Sequence, residues 1–201
     1  MRRRPFDTKR MVLLAMLTAI LLVLPFTPLG YLTIGPLAIT LNMIPVAIGA
    51  ILLGPGCGAF LGAVFGITSC LQCIGIGSLS PMGAALFEIR PILTLLQRFI
   101  PRVLAGWLSG LIFCLFKKRL RFFGYFATGF CAALLNTVLF TLTLVLLFAD
   151  TPYLQNDIAG RSLFVYILAL VGGNAVVEML ATTAIVGPLC KALDRTGSGG
   201  K

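Results

Sequence analysis

The chain has 201 residues, a length expected for one domain, and 59% of them are hydrophobic whereas only 11% are charged. This composition lies far from that of soluble proteins and excludes a soluble globular domain. The formal net charge is +10. Because the basic residues do not alternate with aromatic residues outside the apolar segments, nucleic acid is not an expected partner.

The first half of the chain has the composition of a membrane protein. No Asp, Glu, Lys or Arg occurs from Met11 to Phe87, and about 20 apolar residues suffice to cross ~30 Å of hydrocarbon. Only helices and closed barrels satisfy their backbone in lipid, and these long apolar runs do not alternate as barrel strands do. The sequence therefore predicts an all-α polytopic membrane protein. Residues 1–195 form its single domain, and residues 196–201 are a flexible tail or a cloning remnant.

Proline and glycine residues divide the chain into six predicted transmembrane helices. These helices cover approximately residues 10–25, 37–53, 56–72, 100–116, 122–148 and 161–193. The long connection 73–99 is predicted to be irregular, which is typical of lids and binding loops. The third helix carries Gly58, Gly62 and Gly66 on one face, a spacing that lets another backbone come close in lipid.

The distribution of basic residues predicts the orientation. Six crossings place both termini on one side, and that side then carries 12 of the 16 Lys and Arg residues. Because basic residues favour the cytoplasmic face, both termini are predicted to be cytoplasmic. The connections 25–36, 73–99 and 149–160 then face outside.

Four polar residues inside the predicted helices are candidates for function. An acidic residue at the centre of a membrane helix costs about 2.5–3.5 kcal/mol and usually faces a cavity or a partner, which singles out Glu178. Asn174 lies one turn earlier, and Asn42 and Asn136 lie on two other helices. We expect these four side chains to line an outward-facing polar pocket. The alternative is that each Asn forms a helix–helix hydrogen bond, worth only ~0.6 kcal/mol on average, and that Glu178 is buried in a pair with Arg102 or a tyrosine.

Four more residues complete the candidate site. Thr137 follows Asn136 on the fifth helix. Arg102 is predicted to open the fourth helix at the outer surface, where it either meets the substrate or extends its charge to the interface. Tyr31 and Phe26 either cover a ligand or anchor the protein at the membrane interface.

The sequence contains no machinery for chemistry or for energy conversion. It has no phosphate-binding GxxxxGK[ST] loop and no histidine, so no catalytic residue, metal or cofactor is expected. A binding pocket without its own energy source needs a separate partner. Ala15 and Ala19 form a small-xxx-small pattern on the first helix that lets a partner helix approach, although internal packing is the alternative.

Four segments carry a resemblance to a known family. They are the basic N-terminus followed by LLAMLTAILLVLPFTPLG and its continuation to Ser69, IPRVLAGWLSGLIF, GFCAALLNTVLF and NAVVEMLATTAIVGPLCKAL. In this order they resemble the substrate-binding S components of energy-coupling-factor (ECF) vitamin transporters, most closely the pantothenate-type members. Family relatives often carry His at the position of Asn42.

The resemblance implies a six-helix bacterial cell-membrane protein that captures a vitamin from outside with high affinity. It also implies docking on a transmembrane coupling subunit with two cytosolic ATPases, and delivery by toppling in the membrane. Ala15 and Ala19 match the surface for the coupling subunit, and the connections 25–36 and 73–99 match lids over the ligand. Asn136, Thr137, Asn174 and Glu178 match positions near the pocket, where Arg102 is expected to meet the carboxylate of pantothenate.

Three other functions remain open from the sequence. The protein is alternatively an S component for another vitamin such as folate. In a different class, it is a membrane scaffold of similar architecture, in which the polar residues only link helices. A small proton-coupled transporter is a third reading, and it would depend on Glu178 and on no ATPase.

Overall fold

The computed structural model describes residues 8–27, 31–34, 37–77, 80–116, 120–151, 155 and 163–198. Within these ranges the side chains of residues 31–39, 121, 163–174 and 194–198 are not described. The helices are α1 (Thr8–Val23), α2 (Met43–Leu53), α3 (Pro55–Cys73), α4 (Pro81–Ile89), α5 (Pro91–Phe116), α6 (Arg121–Phe148) and α7 (Leu163–Ser198). A short 3-10 helix, Leu24–Phe26, follows α1, and strands β1 (Tyr31–Ile34) and β2 (Leu37–Thr40) form an antiparallel hairpin.

Most of the described chain consists of long apolar helices. Among the described residues, five helical segments are long and apolar enough to cross a membrane: Thr8–Phe26, Pro55–Cys73, Pro91–Phe116, Phe122–Phe148 and Ala175–Leu193. The apolar helix α2 has 11 residues and is therefore only ~16 Å long. The prediction of a polytopic helical membrane protein is confirmed with five candidate spans.

Helices α3 and α5 pack backbone against backbone over three turns. A Cβ placed on Gly58 would collide with the carbonyl oxygen of Gly106, and one on Gly62 would collide with the carbonyl oxygen of Arg102. A Cβ on Gly66 would come within 2.9 Å of the Phe99 ring. The predicted role of these three glycines in close helix approach is confirmed, and the partner helix is α5.

The remaining helices surround this pair. Stacking of Phe113 on Tyr125, with ring centroids 5.4 Å apart, and a hydrogen bond of 3.3 Å from Arg90 Nη1 to the carbonyl oxygen of Leu147 set α5 antiparallel to α6. The ring of Phe126 lies against Gly187 of α7. We call the end with the β-hairpin and α4 the hairpin end, and the opposite end, which carries Arg10 and Lys191, the basic end.

Helix α2 occupies the centre of the bundle. It contacts α1, α3, α5, α6 and α7, and its side chains from Met43 to Ile51 are buried. A helix that is apolar on all sides is stable only when it is enclosed, and in lipid the enclosure by other helices leaves α2 no membrane-facing side. The residue that precedes α2, Asn42, is therefore held in the interior.

The start of α2 corrects the predicted bounds of the second helix. The second helix was expected from residue 37, but Leu37–Thr40 pairs with Tyr31–Ile34 as a strand, and the helix begins at Met43. The β-branched residues in this stretch favour extended backbone, and the bond between Gly35 and Pro36 separates two segments that can pair. Asn42 consequently stands at the N-terminal boundary of α2 instead of inside a helix.

The expectation of an irregular segment at 73–99 is also wrong. It contains α4 and the first nine residues of α5. Pro81 and Pro91 each occupy the first position of a helix, where proline is favoured because no partner is needed for its nitrogen. Ser80 caps α4 by accepting a hydrogen bond of 3.3 Å from the amide of Gly83. The prolines therefore begin helices here.

The C-terminal prediction needs a smaller correction. Helix α7 continues through Ser198, so residues 196–198 of the predicted tail are helical. Residues 199–201 lie outside the described residues.

Candidate functional site

Arg102 lies at the centre of a buried polar site. Its guanidinium lies over the rings of Phe65 and Phe140, at 4.6 Å and 5.4 Å from the ring centroids, and Nη1 donates to the carbonyl oxygen of Arg98 at 2.7 Å. Only 5% of its surface is exposed. The prediction that Arg102 opens a helix at the outer surface is wrong, because α5 begins 11 residues earlier at Pro91.

Glu178 links α7 to the β-hairpin. One of its carboxylate oxygens accepts hydrogen bonds from the backbone nitrogen of Thr40, at 2.7 Å, and from the Thr40 hydroxyl. The side chain is buried, with only 7% of its surface exposed. Glu178, which was predicted to face a cavity or a partner, is therefore bonded to Thr40, the last residue of β2, 138 residues away along the chain.

Asn42 and Asn136 carry side-chain amide atoms that have no hydrogen-bond partner among the described residues. Asn42 is completely buried, and neither its Nδ2 nor its Oδ1 has a hydrogen-bond partner within the described part of the chain. It does not cap α2, although it precedes the first residue of that helix. Asn136 is buried as well, and its Oδ1 has no partner among the described residues. Buried amides without partners are uncommon and call for a specific explanation.

The packing of the helices places Asn42, Asn136 and Glu178 at the same level of the bundle as Arg102. Val46 packs beside Gly106, so Asn42, one turn before Val46, lies level with Arg102. Phe140 lies under Arg102, and Asn136 is one turn from Phe140 on the same face of α6.

Helix α7 extends this level to Glu178. Gly129 packs against Thr182, and α6 and α7 run antiparallel, so the turn of Asn136 lies level with that of Glu178. Asn42, Arg102, Asn136 and Glu178, which we call the central site, therefore share one layer of the bundle.

The other predicted site residues occupy different positions. The Thr137 hydroxyl donates to the carbonyl oxygen of Ala133, at 3.1 Å, so that only its acceptor capacity remains for a ligand. Phe26 is 56% exposed, and its ring lies against Gly77 in the connection between α3 and α4. The side chains of Tyr31 and Asn174 lie outside the described part of the structure. Ala15 and Ala19 are both on an exposed face of α1.

Several buried polar residues of the hairpin end were not predicted. Gln97 and Ser69 are completely buried with side-chain atoms that have no partner among the described residues, and Arg98 is 5% exposed. Thr94, Gln97, Arg98 and Arg102 follow the spacing of one helix face, which would have revealed them had 73–99 been predicted as helical. Thr40 had no signal in the sequence, because its role depends on pairing with a distant helix.

The central site has the chemistry of a binding site. It offers two amides that donate and accept, one carboxylate that accepts and one guanidinium that donates. Among the described residues no group of His, Cys, Asp and Glu could hold a metal ion. An apolar bundle with such an enclosed polar layer is suited to holding a small polar solute within a membrane.

The fold therefore defines a multi-pass membrane protein with a layer of buried polar side chains in its interior. The comparison with protein families gives the particular assignment: the chain belongs to the family described as "ECF transporter, substrate-specific component", whose model matches residues 9–190. This family comprises transporter components and is not a family of enzymes. The resemblance seen in the sequence is thus confirmed.

Two characterised bacterial relatives are similar along nearly their whole length. The chain is 30% identical over 196 residues to "Pantothenate transporter PanT" of Leuconostoc mesenteroides, which covers 92% of each protein. It is 30% identical over 194 residues to "Pantothenic acid transporter PanT" of Lactococcus lactis, covering 90% of this chain and 93% of the relative.

Proposed function

We propose that this protein is the pantothenate-binding subunit of an ECF-type vitamin importer in the bacterial cell membrane. The observation that carries the proposal is the layer of buried polar side chains formed by Asn42, Arg102, Asn136 and Glu178. Two of these residues keep amide atoms without a protein partner in the described structure. The two relatives named as pantothenate transporters support the choice of vitamin.

The chemistry of pantothenate matches this layer. The vitamin has a carboxylate, an amide and two hydroxyl groups. The amides of Asn42 and Asn136 can exchange donor and acceptor bonds with its amide and hydroxyls, and Glu178 can accept from a hydroxyl. A ligand that satisfies these buried groups removes a penalty of about 1–3 kcal/mol for each of them.

The transport cycle that we propose follows from the family. The chain crosses the membrane six times with both termini in the cytoplasm, and α2 serves as the short inner crossing. The hairpin end faces outside, so the hairpin and the connection between α3 and α4 act as lids, with Tyr31 and Phe26 at the rim. Ala15 and Ala19 provide the contact with a coupling subunit that two cytosolic ATPases drive, and the loaded protein topples to release the vitamin inside.

A panel of vitamins tests the proposal directly. The purified protein is heated with pantothenate, folate and other vitamins, and its melting temperature is recorded. A ligand at about 100 times its dissociation constant adds about 2.7 kcal/mol, which corresponds to a rise of roughly 5–11 °C for a chain of this size. Pantothenate should give this rise and the other vitamins should not.

Two variants connect the panel to the central site. Asn136→Ala and Glu178→Ala should each weaken pantothenate binding by about 10-fold or more, because each leaves a ligand group unsatisfied. Stabilisation by folate alone would replace the substrate, whereas the absence of stabilisation by every vitamin would favour a scaffold.

Reconstitution with the energising subunits tests the remainder of the proposal. Liposomes that contain this protein, a coupling subunit and both ATPases should accumulate pantothenate only with ATP. Uptake by this protein alone, driven by a proton gradient, would contradict the role proposed for the ATPases.

A further inference from the structure

A second buried arginine lies one turn from the central site. Arg98 is on the same face of α5 as Arg102, ~6 Å closer to the hairpin end, and it is only 5% exposed. Its guanidinium carbon lies 5.4 Å from the centroid of the Phe140 ring, and its Nη2 donates to the Ser80 hydroxyl at 3.1 Å. Its Nε has no partner within the described structure.

The charges in this interior do not balance. Two arginines, Arg98 and Arg102, are buried, whereas Glu178 is the one buried acid among the described residues. Arg98 contacts no carboxylate among the described residues, and Arg102, which donates to the carbonyl oxygen of Arg98, adds a second positive charge one turn away. A buried cation is expensive unless an anion neutralises it, so the layer beside Arg98 favours a negatively charged occupant.

The beginning of α4 strengthens the preference for an anion. Ser80 caps this nine-residue helix and accepts from both Gly83 and Arg98, and its hydroxyl proton has no acceptor within the described ranges. A helix N-terminus carries partial positive charge, and here it lies beside a guanidinium instead of beside an acid. Gly83 permits this approach, because a Cβ at that position would lie 2.7 Å from Arg98 Nη2.

We infer that Arg98, with the Ser80 hydroxyl, binds the carboxylate of the substrate and makes the site selective for an anionic solute. This inference rests on the proposed function and replaces the expectation that Arg102 meets the carboxylate. Arg102 is occupied by Phe65, Phe140 and the carbonyl oxygen of Arg98. The substrate then lies with its carboxylate toward the hairpin end and its hydroxyls in the central site.

A neutral analogue separates recognition of the carboxylate from recognition of the remainder of the vitamin. Pantothenol carries a hydroxymethyl group in place of the carboxylate and is otherwise the same molecule. The affinities of the unmodified protein for pantothenate and pantothenol are compared with those of Arg98→Gln and Arg102→Gln by calorimetry. Arg98→Gln should weaken pantothenate binding by about 10- to 100-fold, the range for a charged hydrogen bond, and leave pantothenol binding within about 3-fold.

The matched variant has a different expected result. Arg102→Gln should weaken both ligands to a similar degree, because Arg102 lies in the central site, which is proposed to bind the part of the vitamin that both ligands share. Ligand-free Arg98→Gln should melt no lower than the unmodified protein, since it removes a charge that the described protein groups do not balance. If this variant nevertheless fails to fold, Arg98→Lys keeps the charge and should retain the preference for pantothenate with reduced affinity.

The outcomes distinguish the two proposals. If the unmodified protein binds neither ligand, the proposed function fails. If it binds pantothenate while Arg98→Gln weakens both ligands equally or neither, the function stands and the inference is overturned. Loss of the preference in Arg102→Gln instead of Arg98→Gln would assign the carboxylate to Arg102.

Discussion

The clearest test of the buried polar layer is the substitution Asn42→Leu. Asn42 is completely buried, and both polar atoms of its side chain lack a partner among the described residues. Leucine has a similar shape and no polar group. If the Asn42 amide bonds to a ligand, replacing it with leucine removes two unsatisfied polar groups from the ligand-free protein. The same change removes two hydrogen bonds from the ligand-bound protein.

The size of the effect follows from these two groups. Each unsatisfied buried group costs about 1–3 kcal/mol, so a gain of ~2 kcal/mol in stability is a conservative expectation. For a chain of this length that gain raises the melting temperature by about 4–8 °C. The same substitution should weaken pantothenate binding by about 10-fold or more. The protein thus becomes more stable and less functional.

The assay combines thermal unfolding without ligand and a binding isotherm for both proteins. Ile44→Leu, two positions along and also buried, serves as the control for packing and should change neither quantity substantially, because such swaps conserve volume. A fall in the melting temperature of Asn42→Leu, with unchanged affinity, would refute the reasoning. Asn42 would then be a link between helices.

Three further predictions concern packing, the hairpin and the coupling surface. Gly62→Ala should lower stability by about 1–3 kcal/mol, because its Cβ meets backbone of α5; Gly56→Ala, with open space around it, is the matched control in thermal unfolding. Glu178→Gln should weaken the attachment of the hairpin, measured as faster amide exchange in β2; unchanged exchange would show that the carboxylate bonds are dispensable. Ala15→Leu should abolish ATP-driven uptake in liposomes while vitamin binding persists, whereas the same change at exposed Ala184 should not reduce uptake.

The membrane character and the helix-pairing surface were predictable because they depend on local composition. A run without charges can only be placed in lipid or in a core, and three glycines at intervals of four mark a face that needs no knowledge of its partner. The polar residues that share a layer were predictable for a related reason. Polar residues such as Asn42, Asn136 and Glu178 are costly in an apolar interior, so each of them indicates a functional or structural role.

The errors arose where local signals permit two structures. Pro81 and Pro91 were interpreted as interruptions, whereas each begins a helix, and that interpretation hid Gln97 and Arg98 from the analysis of helix faces. The strand at Leu37–Thr40 depends on pairing with β1, and the bond from Thr40 to Glu178 depends on tertiary packing. Such interactions leave no periodicity in one segment of sequence.

The glycine contacts between α3 and α5 make one side of the site more rigid than the other. Arg98 and Arg102 lie on α5, whose backbone contacts α3 at three successive turns. That side of the site can therefore move only if the two main chains separate. The β-hairpin, by contrast, is attached at Thr40 by two hydrogen bonds to a single carboxylate oxygen of Glu178. A solute whose hydroxyl bonds to that oxygen would compete with Thr40 and weaken the attachment of the hairpin. Binding of the solute and opening of the site would then depend on the same oxygen atom of Glu178.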